Sequence, residues 1–367
     1  MKILIVEPFC KGSHKIWAEG YANSSVHEVI IISLPGRFWK WRMHGGAVTL
    51  AKRFHKLGFK PDLILATDML NLPVFQSLVK PNCPVAIYFH ENQFTYPWSP
   101  ADKDVELQRD KHYGFINYSS ALSADHIFFN SQFHMDSFFT GLEDFLRQFP
   151  DYREIQNIES IRGKSSVLHL GLDLKKLDDY KVDKQAHDIP LILWNHRWEH
   201  DKSPEEFFKT LELLSNTCVE FQLAVLGEEF KKELPCFTQA RKILKKHIVQ
   251  FGYAPTFEEY AKWLWKADIL PVTSNQDFFG ASIMEAVYCD TTPILPSRLT
   301  YPNLFHEDEN PEIFYQSTND LIHKLENILC NYSIFKSINY QNIAKNYDWS
   351  IMATKYDDLL ENLKNDI

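Results

Sequence analysis

Residues 271 to 289 read PVTSNQDFFGASIMEAVYC. An apolar run ending at Val272 gives way to a polar turn, and a helical stripe of Ile283, Met284 and Val287 follows, so the segment is read as strand, loop and helix. Asp277 and Glu285 stand eight residues apart with Gly280 between them. A glycine at a helix start has no Cβ, which lets the first backbone N–H groups approach a phosphate, and the helix dipole favours the anion. Glu285 lies about one turn further in, where a carboxylate accepts hydrogen bonds from sugar or ribose hydroxyls. The same pattern also fits an ordinary loop and helix with two solvated carboxylates, so the rest of the chain has to decide.

Upstream, residues 191 to 208 read LILWNHRWEHDKSPEEFF. A strand ends near Asn195, Arg197 and Lys202 follow, and Ser203 with Pro204 is expected to start a helix. Two cations on one loop at the carboxyl end of a strand suit a diphosphate clamp, Arg as a planar fork and Lys as a point charge. Such a clamp acts most strongly as a nucleoside diphosphate departs and negative charge builds. The competing reading pairs these cations with Glu199 and Asp201 in a solvated loop.

In the first half, IYFHENQFTYP at 87 to 97 places His90, Glu91 and Asn92 after a strand, where acid, base or hydroxyl-orienting groups belong. KGSHK at 11 to 15 makes a turn after the first strand, with Gly12, Ser13 and His14 available to a ligand. Residues 37 to 60, RFWKWRMHGGAVTLAKRFHKLGFK, hold seven Lys or Arg and no carboxylate, with Phe38, Trp39 and Trp41 interleaved. Cations beside aromatics suit RNA phosphates and stacked bases, which marks Arg37, Lys40, Trp41, Arg42, Lys52 and Arg53 as nucleic-acid contacts. A solvated amphipathic helix from Ala47 to Phe59 is the alternative.

These segments sit in an alternation of apolar runs and amphipathic stretches, which predicts α/β architecture with mostly parallel sheets. Expected strands are Lys2 to Val6, Val29 to Ser33, Leu63 to Ala66, Val85 to Phe89, His126 to Asn130 and Val167 to His169. After the charged stretch KKLDDYKVDKQAHD, read as a linker, come Leu191 to Asn195, Gln222 to Gly227, Ile248 to Gly252, Asp268 to Val272 and Pro293 to Pro296. Two doubly wound domains are expected at 1–178 and 187–345, with the ligand in a cleft between them, and 346–367 as a terminal helix whose docking the sequence leaves open. The net charge of −9 argues against nonspecific coating of nucleic acid, while leaving room for a local basic face. The six scattered cysteines suggest neither zinc nor a disulfide framework, and no apolar run approaches membrane-spanning length, so a cytoplasmic protein is expected.

Together, Arg197, Lys202, Asp277, Gly280 and Glu285 resemble the donor site of retaining GT-B glycosyltransferases of family 4. Asp277 stands where that family usually has Glu, and Asp290 where a glycine is usual. More closely, GSHK at 12 to 15, WKWR at 39 to 42, HENQ at 90 to 93, NHRWEHDKSPE at 195 to 205, VLGE at 225 to 228 and FFGASIMEAVYC at 278 to 289 resemble the tRNA-queuosine α-mannosyltransferase family, in the same order over nearly the whole chain. That resemblance implies a GT-B fold of two Rossmann-like domains and metal-independent, retaining transfer of mannose from GDP-mannose to the cyclopentene-diol of queuosine in a tRNA anticodon. It implies His90, Glu91, Arg197, Lys202 and Asp277 as catalytic groups. Donor binding would fall to Gly12, Ser13, His14, Asn195, His196, Arg197, Lys202, Gly227, Phe279, Gly280, Ala281 and Glu285. The competing expectations are a glycosyltransferase with another nucleotide sugar or a lipid, glycan or small-molecule acceptor, and an inactive RNA-binding module. The sequence carries no signal for oligomeric state.

Overall fold

The computed structural model describes residues 1–98, 104, 111–184, 189–217, 219–227, 234–332 and 339–365. The last part of the expected linker, residues 185–188, lies outside this set, as do Cys218 and Glu228. Two compact units emerge, one built from residues 1–172 and 349–367 and the other from 173–348.

The first unit carries a six-stranded parallel sheet in the order β2-β1-β3-β4-β5-β6. Its strands are β1 (Lys2–Cys10), β2 (Glu28–Pro35), β3 (Leu63–Thr67), β4 (Val85–Phe89), β5 (His126–Phe129) and β6 (Ser165–Val167). The connecting helices are α1 (Gly12–Ser24), α2 (Trp39–Leu57), α3 (Leu72–Val79), α4 (Lys111–Ser123), α5 (Gln132–Arg147) and α6 (Asn157–Arg162). Ile3, Leu4, Ile5 and Val6 are fully buried, as are Leu63 to Ala66, because helices cover both faces of a parallel sheet and leave no strand face for water. The chain order reverses direction between β1 and β3, and in open sheets ligands bind beyond the carboxyl ends at that switch.

The second unit repeats the plan with strands ordered β12-β11-β10-β7-β8-β9. These are β7 (Leu191–Trp194), β8 (Gln222–Val225), β9 (Ile248–Phe251), β10 (Ile269–Pro271), β11 (Thr292–Pro296) and β12 (Phe314–Tyr315), the last too short to have been read from sequence. Its helices are α7 (Pro204–Ser215), α8 (Pro235–Ile243), α9 (Phe257–Lys266), α10 (Ala281–Tyr288), α11 (Tyr301–Leu304), α12 (Thr318–Cys330) and α13 (Gln341–Lys345). Here the switch lies between β7 and β10, which is where the two most informative sequence segments end. The expected doubly wound α/β architecture is therefore present in both units.

Several local readings are refined by the structure. The charged stretch after Leu174 is packed in its first half: Lys175–Tyr180 is a 3-10 helix, Trp265 Nε1 donates to the Leu177 carbonyl at 2.8 Å, and Tyr288 donates to Asp178 at 2.7 Å. Helix α2 starts at Trp39, two turns before Ala47, so the basic aromatic string lies on a helix. Ser203 occupies the cap position of α7 but makes no capping bond; its left-handed backbone (φ 50°) aims it elsewhere, and Pro204, which has no N–H to satisfy, opens the helix.

The terminal helix α14 (Trp349–Asn365) packs within the first unit. Its anchor is Trp349, which lies against two glycines: a Cβ at Gly20 would come within 2.1 Å of the indole, and one at Gly171 within 2.3 Å. Farther along, Tyr356 receives the Trp17 N–H at 3.0 Å and donates to the His169 carbonyl at 2.9 Å, while Asp357 accepts from Tyr21, Ser25 and the Val26 N–H. Trp349→Ala should therefore lower the stability of this unit by about 3–5 kcal/mol, the range for deleting a buried large aromatic. Urea unfolding followed by circular dichroism checks this, and an unchanged midpoint would refute the anchoring role.

Candidate active site

In the second unit the polar groups gather at the carboxyl ends of β7 and β10. Beyond Trp194, Asn195 Nδ2 donates to the Ser282 carbonyl at 2.7 Å, and His196 Nδ1 lies 3.2 Å from Ser282 Oγ, so both residues fasten the strand end to the first turn of α10. Burial lowers the His196 pKa to about 4 and keeps it neutral. Gly227, at φ 123° two residues beyond β8, lies directly against this loop, since a Cβ there would sit 2.1 Å from the His196 carbonyl oxygen. Gly280, at φ 83°, begins α10 in a left-handed conformation that other residues adopt only under strain.

Lys202 is buried, and its ammonium reaches the Gln276 carbonyl at 2.6 Å, Asp277 Oδ1 at 3.1 Å and Asp201 Oδ2 at 3.2 Å. Three acceptors meet three N–H donors. Burial pulls its pKa down, but the charges of Asp277 and Asp201 outweigh that and hold it above the usual lysine value. Asp277 also accepts from Tyr301 at 2.7 Å; burial pushes its pKa up, and Lys202, His196 and the Tyr301 hydroxyl together bring it below the ordinary value. Arg197 is different, with its guanidinium half exposed and 3.1 Å from Glu199, whose pKa burial raises while Arg197 opposes. The two cations expected to act alike are thus one buried and carboxylate-held, the other at the surface.

Glu285 accepts from Tyr260 at 2.6 Å, and burial raises its pKa. Ala281 lies in the first turn of α10, partly exposed. Phe279 is corrected: its ring is buried against Tyr347, edge to face at 5.2 Å, so it supports the loop and does not present its side chain to a ligand. Asp201 and Glu199 pair with Lys202 and Arg197 as the competing reading of this loop had it, although Lys202 is buried and not solvated; Tyr260 and Tyr301 were missed, because nothing local in the sequence sets a tyrosine that touches a site carboxylate apart from a core tyrosine.

In the first unit, a second cluster forms at the switch between β1 and β3. Glu7, fully buried in the carboxyl half of β1, accepts from the Phe9 N–H at 2.6 Å and meets His14 Nδ1 at 3.0 Å. The His14 ring lies 4.2 Å from that of His90, whose backbone N–H donates to buried Asp68 at 2.9 Å and whose carbonyl accepts from Asn130 at 2.9 Å. Burial works against the His14 imidazolium, but Glu7 overcomes it and raises the pKa to about 9. His90 is driven the other way, first by burial and then by the His14 charge, and stays neutral. Its Nε2 is buried without a hydrogen-bond partner. Asp68 is raised, by burial first and against the pull of His14.

Glu7, His14 and His90 bring ligand-type atoms within 4.8 Å of one another, and the Glu7 carboxylate balances the charge of a protonated His14, so a metal binding there would have to displace that proton. Glu91 is half buried and accepts from Gln93 at 3.2 Å, while Asn92 takes no outward role: its Oδ1 accepts from the N–H groups of Phe94 and Thr95 and closes the turn. Gly12 (φ 55°) and Ser13 are exposed in the turn before His14. Sequence reading missed Glu7 and Asp68, although a lone carboxylate ending an apolar strand, as in MKILIVEPF, is a signal in its own right.

Of the expected nucleic-acid contacts, Arg37, Trp41, Lys52 and Arg53 are exposed, Arg53 bonding the Ser33 carbonyl, and Arg42 is partly covered while donating to Pro35 at 3.1 Å. Lys40 is corrected. It turns inward over the rings of Trp39 and Trp98 and pairs with Asp104, which satisfies its charge within the protein.

With this geometry in place, comparison with known proteins is informative. Residues 2–172 match the family model described as tRNA-queuosine alpha-mannosyltransferase N-terminal, and residues 178–347 match Glycosyl transferases group 1. A tRNA-queuosine alpha-mannosyltransferase from Drosophila melanogaster is 34% identical over 339 residues, covering 89% of this chain and 86% of the relative. Sucrose-phosphate synthase from Thermosynechococcus elongatus superposes with a TM-score of 0.70 at 14% identity over the full length of both chains. Anabaena HepE in complex with UDP gives 0.70 at 14% identity over 99% of this chain and 100% of the other, and these likenesses establish a shared GT-B fold.

The His14 shift has a defined sign. A histidine whose folded pKa lies above the ordinary value of about 6.5 contributes stability that is complete below that pH and lost as pH rises through about 9. NMR should find His14 protonated at neutral pH, and Glu7→Gln should drop its pKa below the ordinary value, because burial persists without the countercharge. A wild-type His14 that titrates near 6.5 would contradict the assignment.

Proposed function

The chain belongs to the tRNA-queuosine α-mannosyltransferase family and is a glycosyltransferase; from that premise we propose that it moves mannose from GDP-mannose to the cyclopentene-diol of queuosine in a tRNA anticodon, with retention at the anomeric carbon. The bond from C1 to the donor phosphate breaks and its electron pair leaves with GDP. The bond from C1 to a diol oxygen forms, and a departing phosphate oxygen takes the diol proton.

The observation that carries this reading is the buried Lys202 ammonium held between Asp201 and Asp277 at the switch between β7 and β10, beside the helix that starts at Gly280. A diphosphate arriving there exchanges a carboxylate for a phosphate oxygen on Lys202, and the released Asp277 turns to the hydroxyls of the transferred sugar. Arg197, already near the surface, adds its fork, and the first N–H groups of α10 with their dipole complete the anion site. Glu285, fixed by Tyr260, accepts the ribose hydroxyls. In the other unit, neutral His90 and Glu91 orient the sugar or the acceptor. Asn195, His196, Gly227 and Ala281 shape the donor loops, and Gly12, Ser13 and His14 border the sugar. No metal is required, because fixed cations and the helix dipole take the leaving-group charge. Arg37, Trp41, Arg42, Lys52 and Arg53 contact the tRNA. No helix among the described residues is long and apolar enough to cross a membrane, and a tRNA acceptor suits work in the cytoplasm.

Incubation with GDP-mannose and queuosine-containing tRNA, followed by nucleoside digestion and mass spectrometry, should show a hexose on queuosine. Product only with a UDP-sugar, or only with a lipid, glycan or small-molecule acceptor, would replace this assignment, and tRNA binding without donor turnover would leave an RNA-binding module. Lys202→Met should cut kcat/KM by about 10²–10³-fold, the cost of losing one donor to a developing oxyanion. Because this variant leaves Asp201 and Asp277 facing each other, Lys202→Met/Asp277→Asn, with an intact melting temperature, serves as the control. Glu285→Gln should keep the Tyr260 contact yet raise the donor KM about tenfold, the cost of a weakened charge-assisted bond; an unchanged KM would remove Glu285 from the ribose site.

A further inference from the structure

Phe38 is an aromatic residue in the left-handed region, at φ 54° and ψ 55°. Side chains with a Cβ adopt this conformation at a cost, so surrounding structure must enforce it. Its carbonyl accepts the Arg42 N–H at 3.0 Å, which opens α2, and its ring is thrown outward, 76% exposed. One turn on, Trp41 is 64% exposed. It packs against bare backbone at Gly45, where a Cβ would come within 2.8 Å of the indole. Trp39, between them, points inward to Tyr113 at 4.9 Å and Trp98 at 5.8 Å. The helix start therefore sorts three neighbouring aromatics, with Trp39 partly buried against Tyr113 and Trp98, and Phe38 at the cap and Trp41 in the first turn both left in solvent.

Cations frame this pair. Arg37 precedes it and Arg42 follows it, and exposed Lys11 lies against the same loop, since a Cβ on Gly36 would meet the Lys11 Cβ at 2.2 Å. The location matters as well. Cys10 pairs with Pro35 at the carboxyl ends of β1 and β2, so the loop leads off the sheet edge from which the turn bearing His14 also departs. Two large rings left in water beside cations that form no ion pair among the described residues, in a chain of net charge −9, fit a polyanion with exposed flat faces.

We propose that Phe38 and Trp41 form a stacking platform for unpaired bases of the acceptor RNA, with Lys11, Arg37 and Arg42 on the adjoining phosphates. The proposal rests on the tRNA reading above and adds which bases are selected: those of a loop, because a paired base keeps its faces buried in the stack.

The test is the Kd for queuosine-containing tRNA, measured by anisotropy across a salt series. Phe38→Ala and Trp41→Ala should each weaken binding about tenfold with the salt slope unchanged, and Phe38→Tyr and Trp41→Phe should restore most of it. Lys11→Gln and Arg37→Gln should instead each lower the slope by about one. A fully paired RNA duplex should bind wild type and Phe38→Ala/Trp41→Ala equally. If the double variant, melting like wild type, bound the tRNA within twofold of wild type, the platform would be overturned and the rings would belong to another partner. If wild-type protein bound no tRNA, the acceptor assignment would fall with it.

Discussion

A buried ammonium has to be met on every side, and the loops of the second unit are arranged around meeting the one on Lys202. Its partners Asp201, Gln276 and Asp277 come from the ends of β7 and β10, and the backbone repeats the attachment: Thr273 Oγ1 donates to the carbonyls of Lys202 and Ser203 at 2.9 and 3.0 Å, and the Asn275 N–H donates to Asp201 at 2.7 Å. Arg298 holds the carbonyls of Thr273 and Ser274 from behind. Removing any one partner leaves a charge in a place of low dielectric, so the loops hold one another in position. The loops around Lys202 are consequently a mutually braced set, fixed by their own charges and backbone bonds.

The first unit solves the same problem with the sign shared differently. Glu7 cannot be buried alone, and His14 protonates to meet it. That cation keeps neighbouring His90 neutral, so two histidines in ring contact carry opposite protonation states. A neutral imidazole with an open Nε2 beside a fixed cation is suited to ordering hydroxyl groups, and the difference arises from burial plus one carboxylate.

Legibility followed the range of the forces. Strand and helix alternation, Gly280 as a helix start and the HENQ turn could be read because each depends on residues close in sequence. The pairing of Lys202 with Asp277 could not, and sequence proximity suggested instead that Lys202 partners Arg197 on one loop. Lys40, read as an RNA contact from cations interleaved with aromatics, pairs with Asp104, 64 residues away. Phe279 looked like part of a ligand loop and is core, since Tyr347 closes over it.

What the sequence determined by itself is the two doubly wound sheets and many of the charged groups at their strand ends, Glu7 and Asp68 excepted, because apolar periodicity and turn chemistry are written locally. Tertiary structure alone decided which of those groups are buried and therefore paired, protonated or neutral: Lys202 inside and Arg197 outside, His14 charged and His90 not, Trp39 partly buried against Tyr113 and Trp41 in solvent. The reason is physical. Desolvation and charge pairing depend on distances across the fold, and residues far apart in sequence set those distances only once the sheets have closed.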